Sequence, residues 1–539
     1  MKAVATRRSS DGTSRMKANR VKTVPPDKGL SRGLRRYLYF TAAVTGAAIM
    51  VIEILGAKML APYFGTSHFV WTAQIAITLV ALAAGYYAGG RLADRTPQLN
   101  RLYGAVLLAA FYLCATVLIV EPISFSCLDL NLAIGSLLAS TLLFFVPLAL
   151  LAMVGPFFVR MLTSSVGTVG SSVGLLTAIS TLGSFAGTLL IGYLLIPFLP
   201  NSITMYLTAG GLMLVVSGYF FGWGRKGAPV VPILLVLAAG AAIGFFGVVK
   251  DLHAQMPGGW LTVFRGNSNF GQLWVIDQPD TSTRYCLNDL LAQNGYDKRT
   301  GQSTLTFCYL LSGLARAYTP KLEDVLCIGL GVGIVPRELW RDGAKVDVVE
   351  INPAMVRLAK DFFDCPTEKL NLTIGDGRQF VNQCGKKYDA IILDAFLGDS
   401  SPSHLMTEEA FDAMRNLLKM DGVLVINTFG DIKPGQDFLT ASLYKTLHRV
   451  FRSVQIHPAG HGNVFFLASA RPKLTRYHQG NMAEVHPLCR SEVAAAFASR
   501  QVPDPQSGIV LTDDFNPADY YDAANREILR RKLAVRMRK

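Results

Sequence analysis

The feature that most constrains this chain is a change of solvent partway along it. Residues 38 to 248 hold seven long apolar segments, whereas from Val325 onward short apolar runs alternate with amphipathic stretches. About 20 apolar residues suffice to cross a bilayer core of about 30 Å. The segments fall approximately at 38–60, 70–90, 102–121, 132–158, 172–197, 203–222 and 229–249. Charged residues make up 17% of the chain, against roughly 25% in soluble domains, and the deficit sits in this first half. The expectation is a transmembrane helical bundle over 37–250. The first apolar run starts too late and is too long for a secretory leader.

The net charge of +14 is also local, because the first 36 residues hold eleven Lys/Arg and two Asp. This stretch lacks apolar periodicity and is expected to be a disordered basic tail. Next to a membrane segment it reads as an orientation signal attracted to anionic lipid rather than as a nucleic-acid site. Arg91, Arg95 and Arg101, then Arg160, then Arg225 and Lys226 follow even-numbered segments. Glu121 and Asp129 lie at an opposite connection. The positive-inside rule places the N-terminus in the cytoplasm. Seven crossings would then put the C-terminal half outside, although cofactor supply favours the cytoplasm. Either one segment is re-entrant, with 132–158 and its Pro147 and Pro156 the candidate, or the C-terminal half faces away from the cytosol.

Three features within the bundle carry alternatives. Glu53, near Lys58, is a costly intramembrane carboxylate, read either as functional or as an interhelical hydrogen-bond partner. Gly183 and Gly187 form a GxxxG element that permits close helix contact, internal or at a homodimer seam. The stretch Gly90 to Arg95 resembles the loop between helices two and three of major-facilitator transporters, but only about half of that architecture is present.

The second half reads differently. Strand-like alternation at Trp260–Phe264 and Gln272–Asp277 predicts a small β-rich domain over 258–300. From 301 to 475 strands alternate with helices, which predicts a Rossmann-like α/β fold with a mostly parallel sheet. Residues 476–539 form a C-terminal extension. Ligands of such sheets bind at the carboxyl ends of strands, where the informative residues fall. Gly329, Gly331 and Gly333 follow the strand Val325–Ile328. Glu350 ends the next strand, at the position of a ribose-binding acid. Asp376 and Gly377 follow the third strand, within reach of an adenine amino group, and Asp394 ends the fourth. No Lys-Ser/Thr follows the glycines, which argues against a phosphate loop. The eight cysteines are scattered without metal spacing, so no metal is expected.

These residues resemble the polyamine aminopropyltransferases, the spermidine synthase family within the adenosylmethionine-dependent methyltransferase fold, over roughly 258 to 470. The stretches Glu53–Gly65, Gly85–Asp94 and Leu511–Pro517 resemble bacterial proteins that fuse a transporter-like bundle to a spermidine synthase domain. The resemblance implies decarboxylated S-adenosylmethionine as co-substrate and a polyamine such as putrescine as acceptor. It assigns ribose to Glu350, adenine to Asp376 and Gly377, and the general base to Asp394. It also implies a loop over Leu397–Leu405, with Pro402, that closes over the substrates. Spermidine synthases usually carry an aspartate within the glycine loop, where this chain has Val332. The nearest counterpart of their upstream Tyr-His-Glu is Phe307-Cys308-Tyr309, and Ala395-Phe396 replaces their Asp-Pro after the base. Asp399, Asp513 and Asp514 are candidate replacement carboxylates for the amine, with a helix cap as the alternative for the last two. The function expected is membrane-bound aminopropyl transfer from decarboxylated S-adenosylmethionine to a polyamine. The alternatives are another enzyme using S-adenosylmethionine, a methyltransferase or lyase, or a polyamine transporter or sensor without turnover.

Overall fold

The structure is a computed structural model that describes residues 30–163, 169–224, 230–252, 259–396, 402–459, 462–503 and 505–521. Most of the basic tail, Arg225, Lys226 and Asp399 lie outside the described residues. The tail ends earlier than its charge pattern implies. Helix α1, Arg32–Phe64, already includes Arg32, Arg35 and Arg36, and the Ser31 hydroxyl caps it by accepting from the Leu34 N–H at 3.2 Å.

The helices α2 His68–Arg95, α3 Leu99–Cys127, α4 Leu132–Leu162, α5 Val169–Phe198 and α6 Asn201–Gly222 follow; with α1, these six are long and apolar enough to cross a membrane. Helix α7, Val230–Leu252, is apolar over the shorter stretch Leu234–Val249. The irregularity expected near Pro147 takes the form of a π-helical turn at Thr141–Phe145, and a second such turn at Ile191–Leu195 precedes Pro197. Proline lacks an N–H and its ring crowds the carbonyl four residues back, and a π turn is one way to absorb both. Leu182, Phe185, Leu214, Phe245 and Phe246 face outward and exposed, as lipid-facing positions do.

Glycines set the directions of these helices. A Cβ on Gly183 would lie 2.1 Å from the Ala43 carbonyl and one on Gly187 2.6 Å from that of Ala47, so α5 runs parallel to α1 at backbone contact. The GxxxG element is thus an internal packing seam. Gly85 and Gly89 pack in the same way on Ala149 and Met153, making α2 and α4 parallel. Gly240 meets Met213 and Gly247 meets Tyr206, so α7 runs antiparallel to α6. The end of α1, the end of α3 and the start of α4 come together where Gly135 abuts Cys127 and Phe64. At the other end, Tyr37 of α1 lies 5.2 Å from Trp223, just past α6.

The second half docks on the end of the bundle where α1 finishes. A five-stranded antiparallel sheet is ordered β1 Leu261–Ser268, β2 Gly271–Asp277, β3 Thr283–Asn288, β4 Leu291–Asp297 and β5 Gln302–Ser303. It is larger than the two strands read from alternation. Its β1–β2 turn touches the bundle: Lys58 Nζ donates to the Asn269 carbonyl at 3.1 Å, and Asn267 Nδ2 donates to the Leu199 carbonyl at 3.1 Å.

Helix α8, Thr306–Tyr318, then leads into the α/β domain. Its strands are β6 Asp324–Ile328, β7 Lys345–Glu350, β8 Asn371–Ile374, β9 Tyr388–Leu393, β10 Leu418–Phe429, β11 Ser453–Pro458 and β12 Asn463–Ser469. They form one sheet in the order β11-β12-β10-β9-β6-β7-β8, with only β12 antiparallel to its neighbours. Helices α9 Ile334–Arg341, α10 Pro353–Phe362, α11 Gly377–Gln383, α12 Glu408–Leu417 and α13 Phe438–Val450 connect these strands. The short α11 escapes sequence periodicity because it spans only seven residues. Helix α14, Arg490–Ala498, lies in the C-terminal extension and packs on α8 and β11. Strand order reverses between β6 and β9, where an open α/β sheet forms its ligand crevice.

Packing at the α1–α5 seam generates a test. Gly183→Ala forces a methyl into the Ala43 backbone and should destabilise the purified protein by about 1–3 kcal/mol. Gly174→Ala, on the same helix with no atom within 4 Å of the added carbon, should leave thermal unfolding in detergent unchanged. Equal unfolding temperatures for the two variants would contradict the seam.

Candidate active site

A cavity of about 540 Å³ opens at the crevice, lined by residues from both sheets, α8 and the C-terminal extension. That volume lies within the range of small-molecule sites. Its floor is stitched from three strand ends. The Gly329 N–H donates to the Val349 carbonyl at 2.8 Å, and the Asp394 N–H donates to the Ile328 carbonyl at 3.0 Å. Gly329 has φ +101°, and a Cβ there would lie 2.2 Å from the Asp394 carbonyl oxygen. No other residue combines that dihedral with that clearance. Gly331 also lines the cavity, with φ +54°. Gly333 does not: it precedes α9, and a Cβ there would strike the Cys365 sulfur at 2.2 Å. Its role is loop geometry and packing rather than ligand contact.

Glu350 closes β7 and is only 8% exposed. Its Oε2 accepts from the Leu330 N–H at 2.9 Å and its Oε1 from the Asn352 N–H at 2.8 Å. Burial raises its pKa, and the backbone N–H groups around it work against that rise. The carboxylate therefore fixes the glycine loop from beneath, with backbone N–H groups of Leu330, Gly331, Ile351 and Asn352 around it. Asp376 caps α11, accepting from the Gln379 N–H at 2.9 Å, and its Oδ2 lies 3.0 Å from His404 Nε2. Burial would raise its pKa, but the Gln379 N–H and His404 outweigh that and hold it below the ordinary carboxylate value. Gly377 also lines the cavity, and a Cβ there would meet the Ile328 methyl at 2.5 Å.

Asp394 sits centrally, just past β9, on the opposite side of the switch point from Gly329. Burial, reinforced by the negative charge of Glu350, pushes its pKa from 3.8 up to about 6, against a lowering hydrogen bond from Asn427. That bond, Asn427 Nδ2 to Asp394 Oδ1, measures 2.9 Å, and Asn427 Oδ1 in turn accepts from Asn463 Nδ2 at 3.0 Å. The chain of amides fixes which face Asn427 turns to the carboxylate and leaves Asp394 Oδ2 for a ligand.

The other candidates behave differently. Asp513 is exposed and does not line the cavity: it accepts from Arg378 Nη2 at 2.9 Å and Thr407 Oγ1 at 2.6 Å, tying the C-terminal extension to α11 and α12. Asp514 is also exposed and outside the lining. Neither caps the next helix, since Asn516 Oδ1 takes the Ala518 N–H at 3.2 Å. Val332 is fully buried. Cys308 is buried, its thiol raised by that burial, and Tyr309 donates to the Ser303 carbonyl at 2.7 Å, so this segment offers the cavity no ionised group.

Sequence reasoning missed Asn427, Asn463, His404 and Glu492, all of which line the cavity. Asn427 was legible, as a polar residue near the end of a buried strand. The others come from an antiparallel strand, a loop and the extension, where strand-end logic gives no signal. Among the described lining residues are four carboxylates (Glu350, Asp376, Asp394 and Glu492) and no lysine or arginine. Among the described residues no group of His, Cys, Asp and Glu is arranged to hold a metal ion.

Residues 308–457 match the spermine/spermidine synthase domain. A polyamine aminopropyltransferase of Vibrio vulnificus is 37% identical over 170 residues, covering 30% of this chain and 52% of that protein. An N-terminal histidine N-methyltransferase of Emericella nidulans is 27% identical over 288 residues, covering 47% of this chain and 49% of that protein. The chain thus spans about half the length of these curated relatives. Among solved structures, spermidine synthase from Thermotoga maritima aligns at 18% identity and a TM-score of 0.36, covering 45% of this chain and 85% of that one.

Replacing Glu350 by Gln exchanges one acceptor oxygen for a donor that faces a backbone N–H. Leaving that buried N–H unpaired should cost about 1–3 kcal/mol. The expected result is an unfolding temperature lower by a few degrees in a thermal melt. An unchanged temperature would mean that Glu350 does not hold the glycine loop.

Proposed function

We propose that the protein is a membrane-anchored aminopropyltransferase that moves the aminopropyl group of decarboxylated S-adenosylmethionine to a polyamine such as putrescine. The observation that carries this reading is the charge of the cavity: four carboxylates, one of them a deeply set aspartate, and no lysine or arginine among its described lining. Both proposed substrates are cations, one a sulfonium and the other an ammonium.

The chemistry follows from the positions of the groups. Glu350 accepts from the ribose hydroxyls, and Asp376 with Gly377 holds the adenine edge. This directs the methylene beside the sulfonium toward Asp394. The acceptor arrives protonated and cannot attack in that form. Ionised Asp394 takes one ammonium proton, and the freed nitrogen lone pair forms a bond to the methylene carbon. The carbon–sulfur bond breaks with its electron pair going to sulfur. Methylthioadenosine leaves neutral, the new secondary amine carries the positive charge, and Asp394 returns its proton to water. An alkyl ammonium has a pKa of about 10.4, so an ordinary aspartate is a weak base for it. Raising Asp394 from 3.8 to about 6 narrows that gap by roughly 3 kcal/mol. General-base help of this kind is worth about 10²–10⁴-fold.

A second reading, methyl transfer from S-adenosylmethionine itself, draws on one observation. The loop position where spermidine synthases carry an aspartate is the buried Val332, so no carboxylate at that position repels the donor's own. Calorimetry with the two donors separates the readings. Tenfold or greater preference for the decarboxylated form is expected, and the reverse preference favours methyl transfer.

We also propose that the catalytic half lies on the face of the membrane away from the cytoplasm. Arg32, Arg35, Arg36, Arg91, Arg95, Arg101 and Arg160 occur at one end of the bundle. The docked half has Lys58 against Glu53, Glu121 and Asp129. By the positive-inside rule the arginine end is cytoplasmic. The antiparallel return of α7 supports an odd number of crossings and removes the need for a re-entrant segment.

Two measurements test these statements. Turnover should rise with pH through about 6, because Asp394 acts only when ionised, and should fall tenfold per unit below that. Asp394→Asn should lower turnover by at least 10²-fold while methylthioadenosine still binds; unchanged turnover would exclude Asp394 as the base. Alkaline phosphatase fused after Lys539 should be active in intact cells, and a fluorescent protein fused there should be dark. The opposite pair of signals would place the domain in the cytoplasm.

A further inference from the structure

The segment Leu511–Pro517 takes no part in the transfer chemistry, yet it grips one wall of the cavity. That wall is made by Asp376 and Gly377 at the start of α11 and by Pro402, His404 and Leu405. His404 Nε2 lies 3.0 Å from Asp376 Oδ2. The turn Ser403–Leu405 is thereby bonded to the aspartate that the proposed reading gives to adenine.

Successive residues of the segment take hold of successive parts of this wall. Leu511 is fully buried, its carbonyl accepts from the Glu408 N–H at 2.8 Å, and its own N–H donates to Thr446 Oγ1 at 2.9 Å. Asp513 binds Arg378 of α11 and Thr407, the residue that caps α12. Asn516 Nδ2 donates to the Ser403 carbonyl at 3.0 Å, while its Oδ1 accepts from the Ala518 N–H. One side chain thus joins the turn that carries His404 to the short helix Ala518–Tyr521. That helix meets the membrane half. The Tyr520 ring lies 5.9 Å from the ring of Phe69 and 6.4 Å from that of His68, the latter pair inclined by 25°. Phe69 and His68 open α2. Aromatic pairs at these separations attract one another. A chain of contacts therefore runs from α2 through Tyr520, Asn516, Ser403 and His404 to Asp376.

We infer that the C-terminal segment is a strap through which the membrane bundle positions the nucleoside-facing wall of the cavity. Phe69 and Tyr520 form its anchor on the bundle, and Asn516 forms its anchor at the site. These are positioning residues, since none of the three lines the cavity. The inference rests on the nucleoside reading of Asp376. It also gives the bundle a part in the reaction beyond holding the enzyme at a membrane, and it gives Asp513 a part as a fastening of the wall rather than as a ligand.

The test uses the full-length protein in detergent and reads methylthioadenosine affinity by calorimetry, together with KM and kcat for transfer to 1,4-diaminobutane. Phe69→Ala and Tyr520→Ala should each weaken methylthioadenosine about three- to tenfold, the worth of one aromatic pair. KM for the nucleoside donor should rise by the same factor, with kcat and KM for the amine unchanged. Tyr520→Phe keeps the ring and should bind as the wild type does, as should Phe185→Ala on the outward face of α5. Asn516→Ala should weaken methylthioadenosine from the other end of the strap. Combined with Tyr520→Ala it should be no worse than the more impaired single variant, because both changes cut one path. Unchanged affinity in Phe69→Ala and Tyr520→Ala would overturn the inference, and so would losses that multiply in the double variant. Equal damage to donor and amine would show a general loosening and overturn it too. A wild type that binds no methylthioadenosine would remove the parent reading, whereas one that binds it and is indifferent to the ring substitutions would remove only the strap.

Discussion

The close approach of the Gly329 backbone to that of Asp394 is the contact on which the rest of the site depends. Two strands diverge in order at this point of the sheet, and a ligand can enter only if the loops above them stay low. The Ile328 carbonyl accepts from Asp394, the Val349 carbonyl accepts from Gly329, and the Glu350 carboxylate accepts from Leu330. These bonds bring Glu350, the glycine loop and Asp394 into one frame. A side chain at Gly329 would push Asp394 away from that frame, since its Cβ would lie 2.2 Å from the Asp394 carbonyl oxygen.

Backbone contact made possible by glycine also governs the bundle. Gly183 and Gly187 lay α5 on α1, and Gly85 and Gly89 lay α2 on α4. In lipid such contacts replace the hydrophobic drive that water would supply. Farther along α1, Lys58 meets the β1–β2 turn. Phe270, next in the chain after the carbonyl that Lys58 bonds, lines the cavity. The two halves are therefore joined through the wall of the site and not through a linker alone.

Much of this was legible in the sequence, and for a physical reason. A buried parallel strand must be apolar along its length, so an acid or glycine directly after one marks the sheet's open edge, and Glu350, Asp376 and Asp394, picked out on that ground, all line the cavity. Apolar runs long enough to cross a bilayer located the helices equally well. What escaped was set by distance in the chain. Glu492 reaches the cavity from a helix 98 residues after Asp394, and Asn463 from the one strand that runs backward. Asp513 and Asp514 were attractive because carboxylates were wanted, but the arginine and threonine that claim Asp513 are more than 100 residues upstream. Gly333 follows the ligand-loop pattern in sequence and yet faces Cys365, because the third glycine of the loop must already turn into α9.

The elevated pKa of Asp394 ties function to stability. Its folded value of about 6 exceeds the unfolded value of about 3.9, so the folded state holds this proton more tightly. The resulting stabilisation is complete below the unfolded value and is lost as pH rises through about 6. At neutral pH the aspartate is ionised in a half-buried position, which costs the fold on the order of 3 kcal/mol. A carboxylate more fully hydrogen-bonded would remove that cost and with it the raised basicity on which the proposed transfer draws. Asn427 supplies a bond to one oxygen only, and Asn463 turns its amide so that it donates rather than accepts. The site thus keeps Asp394 oriented through one oxygen and leaves the other facing the cavity.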